Sequence, residues 1–210
     1  MRAFVIAMRK EAEAVRPALG PGDRLYVSGI GKVNAAAATM KAICEGATEI
    51  WNAGLAGGFG ADLAVGDIWG VEDACEYDFD LAKINGVSVG VLDGFDSPYI
   101  RLAKIPALTS GAFPWFKGWK TLATGDRFND SEDDTELIEQ VLKAGLRDME
   151  GAAIAHVCKQ EGVRCSSLKC VSDVHGAGGM TGQYLENAER CLGILGAAMR
   201  ELLAKEEVGK

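Results

Sequence analysis

The sequence predicts a single α/β domain, spanning residues 1–210, in which a mixed, mostly parallel central sheet is flanked by helices. Short apolar runs of strand length alternate along the chain with longer segments whose apolar residues recur at helical spacing. The length of 210 residues and the hydrophobic fraction of 48% suffice for one domain with a sizeable core. Because ligands of such sheets collect beyond the carboxyl ends of the strands, the residues after each apolar run are the first candidates for a functional site.

The N-terminal half begins with a predicted strand at Arg2–Ala7, whose continuous apolar run is typical of a strand buried on both faces. A short helix at Glu11–Leu19 follows and is ended by a Gly-Pro-Gly turn. The Ala-rich segment Val33–Glu45 predicts a second helix, closed by Gly46. Further strands are predicted at Arg24–Ser28, Glu49–Ala53, Asp67–Asp73 and Val87–Leu92.

The C-terminal half opens with Asp93–Lys120, a stretch with prolines and clustered aromatic residues that predicts an irregular excursion. A helix is expected from Ser131 to Gly145, because its first turn is acidic and suits the helix dipole. The remaining predicted elements are a strand at Thr121–Thr124, a helix at Glu150–Gln160, a strand at Ser166–Ser172 and a long closing helix at Tyr184–Lys205.

Composition narrows the classes of partner. Lys plus Arg is 22 and Asp plus Glu is 30, which gives a net charge of −8, and no basic cluster is visible. Nucleic acid and anionic membrane surfaces are therefore not expected as partners. The N-terminal apolar run is too short for a signal-peptide core and no stretch reaches the roughly 20 apolar residues of a membrane span, so a cytoplasmic protein is expected.

The cysteines and histidines do not predict a metal site. The six cysteines form no C-x-x-C pair, and neither of the two histidines has metal-ligand spacing to a cysteine. Both nucleotide-binding glycine motifs also fail at Gly29-Ile30-Gly31, which lacks a third glycine and the Walker spacing. The glycine-rich segment 54–58 follows a strand, and its bare backbone could either form a tight turn or let a flat ligand approach closely.

Three acids follow predicted strands or open the helix after them: Glu11, Glu150 and Asp173. Each one alone has a structural explanation, as a first-turn helix acid or as the cap of a turn. In a doubly wound sheet, however, these positions converge on one cleft. Together they predict a site with three carboxyl groups.

At this point the chain resembles a known family. The matching segments occur in the family's order along nearly the whole chain: AMRKEA at 7–12, SGIGKVNAA at 28–36, NAGLAGG at 52–58, VGDI at 65–68, YDFD at 77–80, TGDRF at 124–128, DMEGAAIAHVC at 148–158 and VSDV at 171–174. The sequence is thereby similar to the nucleoside phosphorylase/nucleosidase superfamily, and most of all to its 5′-methylthioadenosine/S-adenosylhomocysteine nucleosidases. The resemblance implies a three-layer sandwich and the hydrolysis of the adenine–ribose bond in 5′-modified adenosines, with no cofactor.

The resemblance also implies roles for individual residues. Glu11 matches the base that deprotonates the attacking water, Asp173 the acid that protonates purine N7, and Glu150 the carboxylate that holds the ribose hydroxyls. Adenine leaves poorly as an anion, so an acid at N7 has a clear chemical purpose, and carboxylates stabilise the oxocarbenium-like sugar. Implied substrate-binding residues are Met8 near the 5′ group, Ala56 and Gly57 in the cleft loop, Phe128 against the base with Asn129 after it, Met149 beside the sugar, and Ser172, which steadies the aspartate.

The sequence departs from the family pattern at three positions, and it is shorter than typical members, chiefly in Asp93–Lys120. Leu55 stands where many relatives carry a hydroxyl residue that contacts the nucleophile, Asn129 replaces an apolar residue, and Lys169 replaces an arginine. The family also implies a homodimer, with Asp93–Lys120 closing part of the neighbouring subunit's 5′ pocket. Aromatic residues are enriched at subunit contacts, which agrees with this expectation.

Three other functions stay open at the level of sequence. A phosphate-dependent phosphorylase on the same fold would need clustered cationic or hydroxyl donors, which the segment 54–58 does not offer. A nucleosidase for another adenosine derivative would share the three acids. A non-catalytic nucleoside-binding module would not need all of them.

Overall fold

The computed structural model describes residues 1–128 and 132–208, and its strands form a single mixed sheet. The strands are β1 Arg2–Ile6, β2 Arg24–Val27, β3 Glu49–Gly58, β4 Ile68–Glu76, β5 Ile100–Arg101, β6 Phe116–Thr124, β7 Leu146–Asp148 and β8 Arg164–Val174. The α-helices are α1 Arg9–Val15, α2 Lys32–Cys44, α3 Ala82–Asn85, α4 Glu132–Glu136, α5 Gly151–Gln160 and α6 Met180–Val208. Short 3₁₀ turns lie at Arg16–Ala18 and Pro106–Ser110, and a π turn follows α4 at Leu137–Val141. The predicted fold class is confirmed.

The sheet has a parallel half and a closed ring. β1 pairs in parallel with β2 and with β3, and β3 pairs in parallel with β8. From β8 the pairing continues antiparallel to β4, in parallel to β6 and to β7, and returns antiparallel to β3. β3 therefore has β7 on one side and β8 on the other near its carboxyl end, where the following loops meet.

Two apolar cores hold the helices against the two faces of the sheet. One core packs α2 and α5 on the sheet, and its helical residues are mostly alanines, which let the helices approach closely. The other core packs α1 and α6 on the opposite face, with larger side chains from α6 such as Leu195, Met199 and Leu202. Burial of both faces explains why β1 reads as a continuous apolar run rather than an alternating one.

One predicted strand was wrong, and one observed strand was missed. The stretch Val87–Leu92 is not a strand but a series of turns, because Gly90 has φ +81° and its amide donates to the carbonyl of Phe79. The prediction also missed β7, which has only three residues and follows a shorter helix than expected. A strand this short carries no periodic pattern, so only its pairing with β3 and β6 defines it.

The aromatic residues of Asp93–Lys120 pack within the chain itself. Phe113 is buried in the core beside α6, and the ring of Trp115 lies 5.0 Å from it, centroid to centroid. Trp115 Nε1 also donates to Glu201 on α6 at 2.7 Å. The end of the stretch is the first half of β6 rather than an irregular loop. Phe113 and Trp115 therefore have packing partners within the chain, and the expected subunit contact of this stretch stays a prediction.

In the described part of the chain, no helix is both long enough and apolar enough to cross a bilayer.

Candidate active site

A cavity of ≈ 240 Å³ opens at the carboxyl end of the sheet, and Glu11, Glu150 and Asp173 all line it. The three acids come from the start of α1, the junction of β7 with α5, and the end of β8. Glu150 and Asp173 are far apart in sequence, but β3 pairs with both β7 and β8 and so brings the ends of these two strands close together. The structure thus brings together the three carboxyl groups that the sequence singled out.

Glu11 is held rigidly by two backbone amides. Its Oε2 accepts from the amide of Met8 at 3.0 Å, and its Oε1 accepts from the amide of Leu55 at 2.9 Å. The carboxyl is buried, and burial raises its pKa, although these two hydrogen bonds and the charge of Lys169 act in the opposite direction. A Cβ at Gly54 would lie 2.7 Å from Glu11 Oε1, so the glycine makes room for the carboxylate. Such a group suits a general base.

Glu150 precedes α5 and accepts a hydrogen bond from the amide of Gly31 at 2.8 Å. Burial and the neighbouring charge of Asp148 raise the pKa of Glu150 to about 7. The amide of Gly31 comes from the loop before α2, so the glycine segment that fails as a nucleotide motif instead holds this acid. Glu150 can accept hydrogen bonds from sugar hydroxyls at this position.

Asp173 lies near the end of β8 and is 1% exposed. Ser172 Oγ donates to Asp173 Oδ1 at 2.6 Å, the kind of contact that the resemblance implied. The register of β3 with β8 shifts between Ala56 and Gly57, which places Gly57 opposite Asp173. A Cβ at Gly57 would lie 2.9 Å from Asp173 Oδ2, so the missing side chain leaves space for this carboxyl.

A buried ion pair lies beneath the three acids. Lys169 Nζ is 2.8 Å from Asp148 Oδ2, and both side chains are only 2% exposed. Asp148 also accepts from Thr124 Oγ1 at 2.6 Å and from the amide of Gly151 at 2.9 Å. Burial alone would lower the pKa of Lys169. The negative charges of Asp148, Glu150 and Glu11 outweigh the effect of burial, so the pKa of Lys169 is raised. One cation therefore faces three carboxyl groups in a region shielded from water.

Most of the predicted substrate-binding residues line the same cavity. This set comprises Met8, Ala56, Gly57, Phe128, Met149 and Ser172. Asn129 lies outside the described residues. Phe128 is 46% exposed at the mouth of the cavity, where its ring can cover a flat ligand. Leu55, which departs from the family pattern, contributes its backbone amide to Glu11 rather than a side-chain group.

Sequence reasoning did not assign six other lining residues to the site: Ala7, Ile30, Arg127, Arg147, Asp148 and Tyr184. The hydroxyl of Tyr184 is 3.7 Å from Met8 Sδ, and its ring meets Phe128 edge to face at 5.3 Å between centroids. Tyr184 is near the start of α6, where helical periodicity gives no sign of a ligand-facing position. Arg147 is in the middle of β7, the strand that the sequence did not predict.

The described residues contain no group of three or more His, Cys, Asp or Glu side chains arranged to bind a metal ion. His156 lies away from the cavity, 3.5 Å from Glu76 and edge to face with Phe95.

Comparisons with known proteins agree on one family. The sequence model of the Phosphorylase superfamily matches residues 22–204. A 5′-methylthioadenosine/S-adenosylhomocysteine nucleosidase of Oceanobacillus iheyensis is 34% identical over 158 residues, which cover 72% of this chain and 68% of that protein. The enzyme of the same description from Bacillus subtilis is 32% identical over 172 residues, covering 78% of this chain and 74% of its own.

Solved structures show the same relationship. The chain is similar to the nucleosidase of Colwellia psychrerythraea in complex with adenine, with a TM-score of 0.84 and 26% identity over 97% of this chain and 95% of that one. It is also similar to the Neisseria meningitidis nucleosidase in complex with methylthio-immucillin-A, with a TM-score of 0.83 and 25% identity over 98% of both chains.

Proposed function

Because the chain belongs to the phosphorylase superfamily and, within it, to the 5′-methylthioadenosine/S-adenosylhomocysteine nucleosidases, we propose that it hydrolyses the adenine–ribose bond of 5′-modified adenosines. One observation carries the proposal: Glu11, Glu150 and Asp173 line a single cavity that is large enough for a nucleoside and open at one side. Binding alone does not need three buried carboxyl groups, whose desolvation costs free energy.

The proposed reaction begins with departure of the base. Asp173, oriented by the hydroxyl of Ser172, donates its proton to purine N7 while the electron pair of the C1′–N9 bond moves onto the base. Glu150 binds the ribose hydroxyls and stabilises the positive charge that develops on the sugar. The base then leaves as neutral adenine.

The second half of the reaction is the capture of the sugar by water. Glu11, fixed by the amides of Met8 and Leu55, takes a proton from a water molecule whose oxygen forms the new bond to C1′. Its raised pKa makes it a stronger base than an exposed glutamate. The products are adenine and the 5′-modified ribose, and no cofactor is consumed.

Water is favoured over phosphate as the nucleophile because the cation that acts on Glu11 is already paired, and Arg147 lies in the row of Gly57 and Asp173 instead. Lys169 is already engaged by Asp148, and Arg127 at the cavity mouth lies 3.3 Å from Asp134. A phosphate group needs several cationic or hydroxyl donors at its site. The backbone that approaches Glu11 at Gly54 and Leu55 brings no hydroxyl or guanidinium group.

The test is a panel of 5′-methylthioadenosine, S-adenosylhomocysteine, 5′-deoxyadenosine and adenosine, assayed for adenine release with and without phosphate. We expect adenine and free 5′-modified ribose without phosphate. The Asp173→Asn protein is the matched control for contaminating activity. Strict dependence on phosphate, with a ribose 1-phosphate as product, would overturn the hydrolase proposal. Failure to release adenine from any of these nucleosides would overturn the proposed function itself.

We further propose that the enzyme is a cytoplasmic homodimer. Several large apolar side chains are exposed on one stretch of the chain around the start of α2, and Ile30 among them also lines the cavity. Val33 is 80% exposed, which is unusual for a valine beside a binding site. Light scattering of the wild-type protein and of Val33→Glu tests the dimer. A wild-type monomer with full activity would contradict it, and cell fractionation tests the location.

A further inference from the structure

Arg147 is a buried cation in the wall of the cavity. Its residue is 5% exposed, and the side chain lines the cavity together with Gly57 and Asp173. The guanidinium lies over the ring of Phe59, with Cζ 5.3 Å from the ring centroid. The mechanism proposed above assigns no task to Arg147.

The hydrogen bonds of Arg147 are incomplete. Among the described residues, its Nη2 donates only to the thioether of Met180, at 3.7 Å, and a thioether is a weak acceptor. Among the described residues its Nη1 has no hydrogen-bond partner, although the atom is buried. Leaving a buried charged donor unpaired is costly, and such groups are uncommon in folded proteins. An acceptor on a ligand in the cavity would remove this cost.

The sheet determines which edge of a ligand Arg147 faces. On β3, Gly57 pairs with Asp173 of β8 on one side and with Arg147 of β7 on the other. The three residues form one row across the sheet, and the two side chains flank the small Gly57. In a purine, N7 and N3 lie on opposite sides of N9, the atom bonded to the sugar. If Asp173 serves N7, the row places Arg147 on the side of N3.

We propose that Arg147 donates a hydrogen bond to N3 of the departing purine and acts as a second activator of the leaving group. This inference rests on the proposed function. The C1′–N9 bond breaks, its electron pair enters the purine ring, and the proton of Asp173 goes to N7. Arg147 keeps all of its protons, because guanidinium groups are not deprotonated in proteins. Its positive charge stabilises the electron density that accumulates at N3.

The experiment compares Arg147→Met with the wild type on 5′-methylthioadenosine and on its 3-deaza analogue, in which a C–H group replaces N3. We expect Arg147→Met to lower kcat for 5′-methylthioadenosine on the order of 10- to 100-fold, the range of a hydrogen bond to a charged group. On the 3-deaza analogue the substitution lowers kcat by only a few-fold, because the acceptor is absent. The cycle of two enzymes and two substrates cancels the different intrinsic reactivity of the analogue.

Two controls make the result specific. Arg164→Met removes an arginine at the opposite end of β8, where it contacts Glu49, and leaves kcat unchanged. The 1-deaza analogue tests the other ring nitrogen on the six-membered ring, and coupling of Arg147 to N1 instead of N3 would overturn the assignment. If Arg147→Met does not fold, Arg147→Lys is compared with the wild type on the same two substrates. Lysine keeps the charge but has a single nitrogen.

Binding of free adenine and 3-deazaadenine, measured by calorimetry, separates this inference from the proposed function. Suppose that the wild type releases no adenine, but Arg147→Met weakens the binding of adenine and leaves the binding of 3-deazaadenine unchanged. The proposed function then fails and the contact with N3 stands. If the wild type releases adenine and Arg147→Met lowers kcat equally for both substrates, the proposed function stands and the role of Arg147 is refuted.

Discussion

Glu150→Gln is expected to stabilise the protein while it damages the site. In the folded protein, burial and the charge of Asp148 raise the pKa of Glu150 from 4.5 to about 7. A carboxyl group with a raised pKa binds its proton more tightly in the folded than in the unfolded state, so stability is lost as the pH rises from below 4.5 past 7. Glutamine has no charge to desolvate, and its amide oxygen can still accept from Gly31.

The magnitude follows from the two pKa values. The free-energy cost of ionising Glu150 in the folded state is about 2 kcal/mol at pH 6 and about 3 kcal/mol at pH 8. We therefore expect Glu150→Gln to raise the free energy of unfolding by amounts of this order, with the larger gain at pH 8. For a chain of 210 residues, the gain at pH 8 corresponds to a Tm increase of about 6–12 °C.

The assay is urea unfolding at pH values from 6 to 9. This range stays above the pI of about 4.9, because the low net charge near the pI would promote precipitation. Glu186→Gln, at an exposed position on α6, is the matched control and should change stability by less than about 0.5 kcal/mol. The reasoning is refuted if Glu150→Gln is no more stable than the wild type at pH 8, or if its advantage shrinks as the pH rises. Reduced kcat/KM in the stabilised variant would show that the ionised carboxylate is retained for function.

Three further changes test the rest of the site. Asp173→Asn should lower kcat by about 10²–10⁴ while substrate still binds, because an amide cannot deliver the N7 proton, and near-normal turnover would show that another group does so. Glu11→Gln should also abolish hydrolysis in steady-state assays with substrate binding retained, and hydrolysis at the wild-type rate would mean that Glu11 does not activate the water. Lys169→Met leaves Asp148 buried without its cation and should destabilise the protein by about 3–5 kcal/mol in urea unfolding. Adding Asp148→Asn to Lys169→Met should recover much of this loss, and equal instability of the single and double variants would argue against the ion pair.

The amino-acid sequence alone determined the α/β alternation and the identity of the three acids. Strands and helices with strong patterns, such as β1 and α2, are predictable because their periodicity is a local property of the chain. The acids were identified because they follow strands in segments that resemble a family with known chemistry. Local pattern failed at Val87–Leu92, where one glycine in a left-handed conformation turns an apolar run into a loop.

The tertiary structure decided what the buried polar groups do. The pKa of Glu150, the ion pair of Lys169 with Asp148, and the position of Arg147 opposite Asp173 all arise from residues that are distant in sequence. β7 is too short to show a pattern, and its register with β3 is what turns Arg147 toward the cavity. Desolvation and electrostatic interaction depend on which groups share a water-free volume, and only long-range strand pairing sets that arrangement.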